Sequence, residues 1–186
     1  MPSSAVRTFT DPDDYAEANG SSKSELTVSG RGHFTAKLVQ IDLHRLSMQR
    51  FCDNLPRIAH SSNLGGLAII SFRTQLGPSL VRNGVEMQPT NIVRHSEDQV
   101  YHQRSSGSAH FGGMTLAVED MAAIGEAMAG IDLTPPRDAM LVTPPPAGMA
   151  RLRASTRRPD IWRKKPRKSS PIRMPHVGWS KRWSRR

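Results

Sequence analysis

The chain has 186 residues, enough for one domain of ordinary size with an appendage, and its formal net charge is +10. Its single cysteine, Cys52, excludes an internal disulfide and a zinc site built from cysteines. No apolar run reaches the ~18 residues needed to cross a membrane. The acidic N-terminus also lacks the apolar core of a secretory signal. The sequence therefore predicts a cytoplasmic protein that does not contact a membrane.

The positive charge is confined to the last part of the chain. Residues 151–186 hold 14 of the 26 Lys and Arg residues and a single acid, Asp160. Residues 1–150 hold 12 basic and 15 acidic residues. All three tryptophans also lie in the basic segment. We therefore divide the chain into a body, residues 1–150, and a basic tail, residues 151–186, and expect the two to differ in structure.

The first part of the body carries signals of a short helix and then of a strand. Asp11 is a good N-cap residue, Pro12 fits the first turn, and Asn19-Gly20 predicts the end of the helix. Residues 33–46 alternate apolar and polar side chains, but the alternation changes parity after Leu38. This pattern predicts one long strand with a β-bulge or a change of face.

The middle of the body predicts several more short strands. Residues 67–72 form an apolar run typical of a strand buried on both faces. Asn83-Gly84 lies between two short apolar segments and predicts a hairpin with a type I′ turn. Further strands are predicted at 92–93, 100–102 and 111–116. Short strands separated by turns favour a β-sandwich or a β-barrel.

Helical spacing replaces strand alternation towards the end of the body. A helix is predicted by four apolar residues at helical spacing: Val118, Met121, Ile124 and Met128. Gly130 predicts its end. The prolines at 144–146 predict the start of another helix, with its first turns at 149–153.

No regular element is predicted beyond Arg153. Prolines at 159, 166, 171 and 175 interrupt any amphipathic face, so we expect the tail to be disordered in isolation. The tail is also the candidate polyanion-binding segment, because basic side chains contact phosphates and tryptophans stack on bases. The residues predicted to make non-specific polyanion contacts are Arg163, Lys164, Lys165, Arg167 and Lys168.

Five segments of the body occur in an order that resembles a known family. They are DPDDYAEA, IDLHRLSMQRF, LVRNGVEMQPTNIVRHSEDQVYHQRS, GGMTLAVEDMAA and LTPPRDAMLVTPPPAGMARLR. Together they resemble the N-terminal sensing domain of AraC/XylS-type bacterial transcription regulators over most of residues 11–153. The resemblance implies a cupin-like β-barrel, or jelly roll, followed by helices. It also implies a domain that binds a small effector or forms a homodimer.

The resemblance ends near Arg153, where the family continues through a helix into two helix-turn-helix units that bind DNA. A reading of the tail shifted by one nucleotide, with compatible GC-rich codons, gives an Ala/Leu/Glu-rich sequence with helical spacing. We therefore expect a truncated regulator, frameshifted near Ala154. It would retain the effector-binding and dimerisation domain and bind DNA only weakly and without sequence specificity.

Residues that face the inside of such a barrel are the candidates for an effector pocket. By strand pattern alone they are Phe34, Ala36, Phe72 and Tyr101. The histidines at 95, 102 and 110 lack the His-x-His spacing of cupin metal sites, and no nucleophile motif is present. We therefore expect no metal, no other cofactor and no enzymatic activity. The alternatives are a small nucleic-acid-binding protein that acts through the tail and a cupin-like enzyme.

Overall fold

The structure, a computed structural model, describes residues 2–156. The strands of this part of the chain are β1 (Ser3–Phe9), β2 (Ser22–Val28), β3 (Ala36–Leu43), β4 (Leu46–Asp53), β5 (Arg57–Asn63), β6 (Leu67–Arg73), β7 (Leu80–Arg82), β8 (Val85–Glu86), β9 (Ile92–Arg94), β10 (Val100–Ser105), β11 (Ala109–Ala117) and β12 (Met140–Val142). The helices are α1 (Pro12–Glu17), α2 (Val118–Ala129) and α3 (Pro146–Ser155). None of these helices is long and apolar enough to cross a membrane.

The strands form two antiparallel sheets whose inner faces meet. The larger sheet has the order β1-β3-β4-β11-β6-β9-β12, and the smaller has the order β2-β5-β10-β7-β8. Phe111 of the larger sheet stacks on Phe51, and its ring centroid lies 5.6 Å from the guanidinium of Arg57 in the smaller sheet. This β-barrel-like domain with flanking helices confirms the predicted mainly β fold.

A tight hairpin joins β3 and β4, and it corrects the single strand predicted over residues 33–46. Leu43 pairs with Leu46, and His44 in the turn between them has a φ of 58°. The pairing of β3 with β4 runs without interruption from Ala36 to Leu43, so β3 contains no bulge. The chain reverses direction where the sequence predicted continuous extension.

The parity change in β3 arises because both faces of the strand are covered. Leu38 is 1% exposed and packs on the inner face with Tyr15 and Phe51. Val39 is 8% exposed and packs on the opposite face with Met48. A strand buried on both faces loses the apolar and polar alternation that marks a half-buried strand.

Several local predictions are confirmed. Asp11 caps α1, because its Oδ1 accepts hydrogen bonds from the backbone N of Asp13 at 2.7 Å and of Asp14 at 3.3 Å. Asn83 and Gly84 have φ values of 45° and 81°, as a type I′ turn between β7 and β8 requires. The helix α2 ends before Gly130, which has a φ of 60°.

Helix α2 packs on the outer face of the larger sheet. Met121 of α2 packs against Ala68 and Leu116, whereas Met128 is 82% exposed. A Cβ atom added at Gly125 would lie 2.5 Å from the carbonyl oxygen of Ile131, so glycine lets the following segment pack closely on α2. Met121 is thus a core residue, and Met128 lies on a free face of the described structure.

Helix α3 confirms the predicted start after the prolines and is attached to the barrel. Met149 is 3% exposed, and Arg153 donates hydrogen bonds to the carbonyl oxygens of Arg73 and Pro89. The predicted boundary between body and tail, at residues 150 and 151, falls inside this helix. The remainder of the predicted tail, from residue 157, lies outside the described residues, and so does the expectation that it is disordered.

Candidate functional site

A small cavity lies between the two sheets, beneath α1. Its volume is about 40 Å³, which is room for roughly three water molecules. The aromatic residues that line it are Tyr15, Phe51, Tyr101 and Phe111. The polar residues that line it are Asn19, Ser24, Arg57, Ser61 and Gln103. The lining is completed by Ala16, Leu26 and Ala59.

The polar wall of the cavity comes from two strands that invert the usual burial pattern. In β5, Arg57 is 1% exposed and Asn63 is 5% exposed, while Ile58 is 44% exposed. In β10, Gln103 is 5% exposed while Val100 is 55% exposed. Turning polar side chains inward and apolar ones outward weakens a core. The inversion is typical of a ligand site, where a few polar groups fix the orientation of the ligand.

A buried ion pair lies at the edge of the cavity. Arg57 Nε donates to Asp53 Oδ2 at 2.9 Å, and the side chains are 2% and 0% exposed. Burial raises the pKa of Asp53 above its ordinary value, and the Arg57 charge acts against this rise. Asp53 Oδ1 and the hydroxyl of Tyr15 are buried and have no hydrogen-bond partner within residues 2–156. Asp53 thus balances the charge of Arg57, while its second oxygen and the Tyr15 hydroxyl make no hydrogen bond with the described residues.

A second buried guanidinium, that of Arg82, lies directly behind the cavity wall. Its carbon Cζ lies 4.0 Å from the ring centroid of Tyr101, and its Nη2 donates to Gln103 Oε1 at 2.9 Å. Its Nη1 lies 2.9 Å from Nε2 of His95. Arg82 is 9% exposed, and burial lowers the pKa of its guanidinium. Within residues 2–156, no carboxylate lies within 4.0 Å of it.

His95 is held in its neutral form. A guanidinium only donates hydrogen bonds, so its contact with Arg82 requires a ring nitrogen with a free lone pair. The ring is 3% exposed and lies within 2.9 Å of Ser71 Oγ and 3.2 Å of Asn63 Nδ2. Burial, and then the Arg82 charge, lower the pKa of His95 from 6.5 to about 2. His95 therefore contributes no positive charge to the interior at neutral pH.

The short helix α1 forms the roof of the cavity. Tyr15 and Ala16 lie in α1, and Asn19 follows it. The Asn19 side chain joins this roof to β2, because its Nδ2 donates to Ser22 Oγ at 2.7 Å. The rest of the cavity is built from long paired strands, so α1 is the part of the wall with the fewest backbone hydrogen bonds to its surroundings.

The structure places the four predicted pocket residues in three environments. Tyr101 lines the cavity. Phe34 and Ala36 lie in the adjoining core cluster and do not line the cavity. Phe72 is paired with Gly112 and lies on the opposite face of the larger sheet, 1% exposed. Strand pattern alone thus identified one lining residue and missed the polar ones, Arg57 and Gln103 among them.

The three histidines considered as metal ligands lie apart from one another. His95 is buried behind the cavity, whereas His102 stacks on His60 with ring centroids 4.4 Å apart. His110 Nδ1 lies 2.9 Å from the sulfur of Cys52. No group of three or more His, Cys, Asp or Glu side chains in residues 2–156 is arranged to hold a metal ion.

The Cys52–His110 contact is the one arrangement in the described residues that resembles a catalytic pair. Burial raises the pKa of Cys52 and lowers the pKa of His110. Both shifts favour a neutral thiol beside a neutral imidazole, which is the opposite of an activated thiolate. The predicted polyanion contacts at 163–165, 167 and 168 lie outside the described residues.

Comparison with known proteins gives one remote similarity. No protein-family model and no curated protein matches the chain. Among solved structures, it is similar to the crystal structure of the AraC-like transcriptional activator CuxR, with 13% identity and a TM-score of 0.49. The match covers 65% of this chain and 49% of that chain, so this chain matches about half the length of that structure. Similarity this remote carries no inference about ligand or partner.

Proposed function

We propose that the described residues form a sensing domain that binds a small effector in the cavity between the two sheets. The observation that carries this proposal is the inward polar wall of β5 and β10, with Arg57 and Gln103 facing aromatic rings across the cavity. The resemblance of the sequence to AraC/XylS-type regulators supports a sensing role without catalysis. The neutral Cys52–His110 pair supports the same conclusion.

The cavity is too small in this structure to hold an effector, so effector binding requires one wall to move. Pockets for small ligands have volumes of about 300–1,000 Å³, and the present 40 Å³ is far smaller. Helix α1 has six residues and is held at its start by the Asp11 cap. We infer that displacement of α1, with Tyr15 leaving the cavity, makes room for the effector.

Filling the cavity floor is expected to abolish the response to the effector. Ala59 lines the cavity, and Ala59→Val adds two methyl groups there. In a thermal-shift screen of small metabolites, an effector at 100 times its Kd is expected to raise the Tm of the wild-type chain by roughly 5–10 °C. Its effect on Ala59→Val is expected to be below about 1 °C.

Ile58→Val is the matched control, because Ile58 precedes Ala59 in β5 and is 44% exposed on the other face. This variant is expected to respond as the wild type does. An equal response in Ala59→Val, or a screen in which no compound raises Tm, contradicts an effector site in this cavity.

We also propose that the domain forms a homodimer through its free apolar surface. Exposed apolar side chains occur on α2, on the segment after it and on the edge strand β12: Ile124, Met128, Ile131, Met140, Leu141 and Val142. The strand β12 pairs only with β9 within the described residues, so its other edge is open. Apolar residues beside an open strand edge are typical of an association surface.

The composition of the tail supports a change of reading frame near the codon of Ala154. If one nucleotide is restored there, the product is expected to continue α3 as an Ala/Leu/Glu-rich helix, read on into two helix-turn-helix units and protect a specific operator. The unrepaired chain is expected to bind DNA weakly, without sequence preference, and to release it as salt rises. Gene sequencing and footprinting at physiological salt measure both outcomes.

The alternative function, a nucleic-acid-binding protein that acts through its tail, is favoured by one observation. Residues 151–186 hold 14 basic residues and all three tryptophans. A shifted frame with stop codons or a non-helical sequence supports this alternative and contradicts the frameshift. A salt-resistant footprint of the unrepaired chain does the same.

A further inference from the structure

The interior of the barrel holds an excess positive charge. Arg57 and Arg82 are 1% and 9% exposed, and both remain charged because a guanidinium does not deprotonate in proteins. Asp53 is paired with Arg57 at 2.9 Å. His95, whose Nε2 lies 2.9 Å from Arg82 Nη1, is neutral. The Arg82 charge thus has no anionic partner within residues 2–156, although an uncompensated buried charge is strongly unfavourable.

The other buried arginines show how this fold satisfies an arginine that has a purely structural role. Arg73 Nη2 donates to the carbonyl oxygens of Gly77 and Pro78 at 3.0 and 2.8 Å, and its Nη1 donates to that of Met87. Arg57 has its carboxylate. Arg82 differs from both, since its Nε is buried with no hydrogen-bond partner in the described residues. The acceptors that it has, Gln103 and the ring of His95, are neutral.

Arg82 is also connected to the cavity on two sides. Tyr101, whose ring face it covers at 4.0 Å, lines the cavity. Gln103, which accepts from its Nη2, lines the cavity too. Arg57 borders the same space directly. An anionic group that enters beside Gln103 therefore meets one guanidinium at the wall and a second one behind it.

We propose that the ligand of this cavity is a small monocarboxylate. Its carboxylate binds Arg57 beside Gln103, with the Arg82 guanidinium directly behind Gln103, and its apolar part lies against Phe51 and Phe111. One negative charge balances the Arg82 charge, which has no anionic partner within residues 2–156, and a planar carboxylate fits the fork of a guanidinium. The apolar part follows from the aromatic half of the lining. This inference rests on the proposed sensing function and adds the chemical class of the effector.

The test compares each acid with its uncharged amide. The full-length chain in 150 mM NaCl is mixed with acetate, butyrate, hexanoate, octanoate and cyclohexanecarboxylate, and separately with the five corresponding primary amides. At saturation at least one acid is expected to raise Tm by roughly 5–10 °C, and its amide by less than about 1 °C. Phenyl phosphate is included to distinguish a phosphate site, and a larger shift with it overturns the carboxylate assignment.

Two arginine variants show whether the rise in Tm caused by the acid depends on Arg82. Arg82→Met removes the uncompensated charge, so its Tm without ligand is expected to equal or exceed that of the wild type, and the acid is expected to lose its effect. Arg104→Met is the matched control, because Arg104 lies in β10 with its side chain exposed. It keeps the wild-type response. The basic tail is identical in all these chains, so anion binding there does not separate them.

Three results overturn the inference. The first is that the acids stabilise the chain no better than their amides do. The second is that Arg82→Met still responds to the acid. The third is a fall of several degrees in the Tm of Arg82→Met without ligand, which indicates that Arg82 has a structural role. Uncharged compounds that stabilise the wild type but not Ala59→Val leave the sensing function intact while excluding an anionic ligand. If no compound, charged or uncharged, stabilises the wild type but not Ala59→Val, the proposed sensing function is contradicted as well.

Discussion

The substitution Asp53→Ala is expected to lower the free energy of unfolding by about 3–5 kcal/mol, and Tm by roughly 10 °C. The Asp53 carboxylate is the anionic partner of Arg57, whose side chain is 2% exposed. Without it, Arg57 keeps a buried charge that no other anion within residues 2–156 compensates. Urea denaturation at pH 7, followed by circular dichroism, measures the loss.

Two further chains show whether the loss comes from the unpaired charge. Asp53→Leu combined with Arg57→Met removes both charges and is expected to recover most of the stability, because apolar replacements of a buried pair are often neutral. Asp120→Ala breaks the pair with Arg45, which is 80% exposed, and is expected to cost about 1 kcal/mol or less. Equal losses in Asp53→Ala and Asp120→Ala contradict a special role for the buried pair.

Acid is expected to destabilise the domain steeply because of His95. The unfolded chain protonates this imidazole near pH 6.5, whereas in the folded state its pKa is about 2. The contribution of His95 to stability is therefore complete above about pH 6.5 and is lost progressively as the pH falls towards 2. Each pH unit in that window removes about 1.4 kcal/mol. The lowered pKa of His110 acts in the same direction, and the raised pKa of Asp53 acts against it.

The urea midpoint at pH 7.5, 6.5, 5.5 and 4.5 measures this dependence in three chains. His95→Gln is expected to flatten the curve, whatever its stability at pH 7.5, because the titrating group is gone. His33→Gln, at an exposed position, is expected to follow the wild type. Parallel curves for the wild type and His95→Gln rule out His95 as the source of acid sensitivity.

The sequence predicted those elements whose ends are marked by residues with a strong local conformational preference. Asp11 with Pro12, Asn83-Gly84 and Gly130 each fix a backbone conformation locally, and each is found where it was expected. The hairpin between β3 and β4 was not predicted, because its turn places His44 at a positive φ where glycine or asparagine is the usual signal.

The candidate site escaped prediction for a related reason. Strand patterns are read on the assumption that polar side chains face water, and β5 violates it with Arg57 and Asn63 inside. This strand was therefore not predicted. Strands β1 and β2, whose residues are mostly exposed or half-buried, were not predicted either. Phe72 shows the converse error, since a large aromatic residue was assigned to the pocket and lies on the opposite face of its sheet. A strand whose polar side chains face the interior can be recognised only when the position of the opposite sheet is known.

Helix α3 connects the C-terminal end of the described residues to the barrel. Arg153 binds two carbonyl oxygens at once, that of Arg73 at the end of β6 and that of Pro89 just after the β7–β8 hairpin. Arg82 lies within that hairpin. Both anchor points are connected to the hairpin, because the Arg73 side chain donates to the carbonyl oxygens of Pro78 and Met87 on either side of it. A displacement of the hairpin by a ligand in the cavity is therefore expected to move α3 with it.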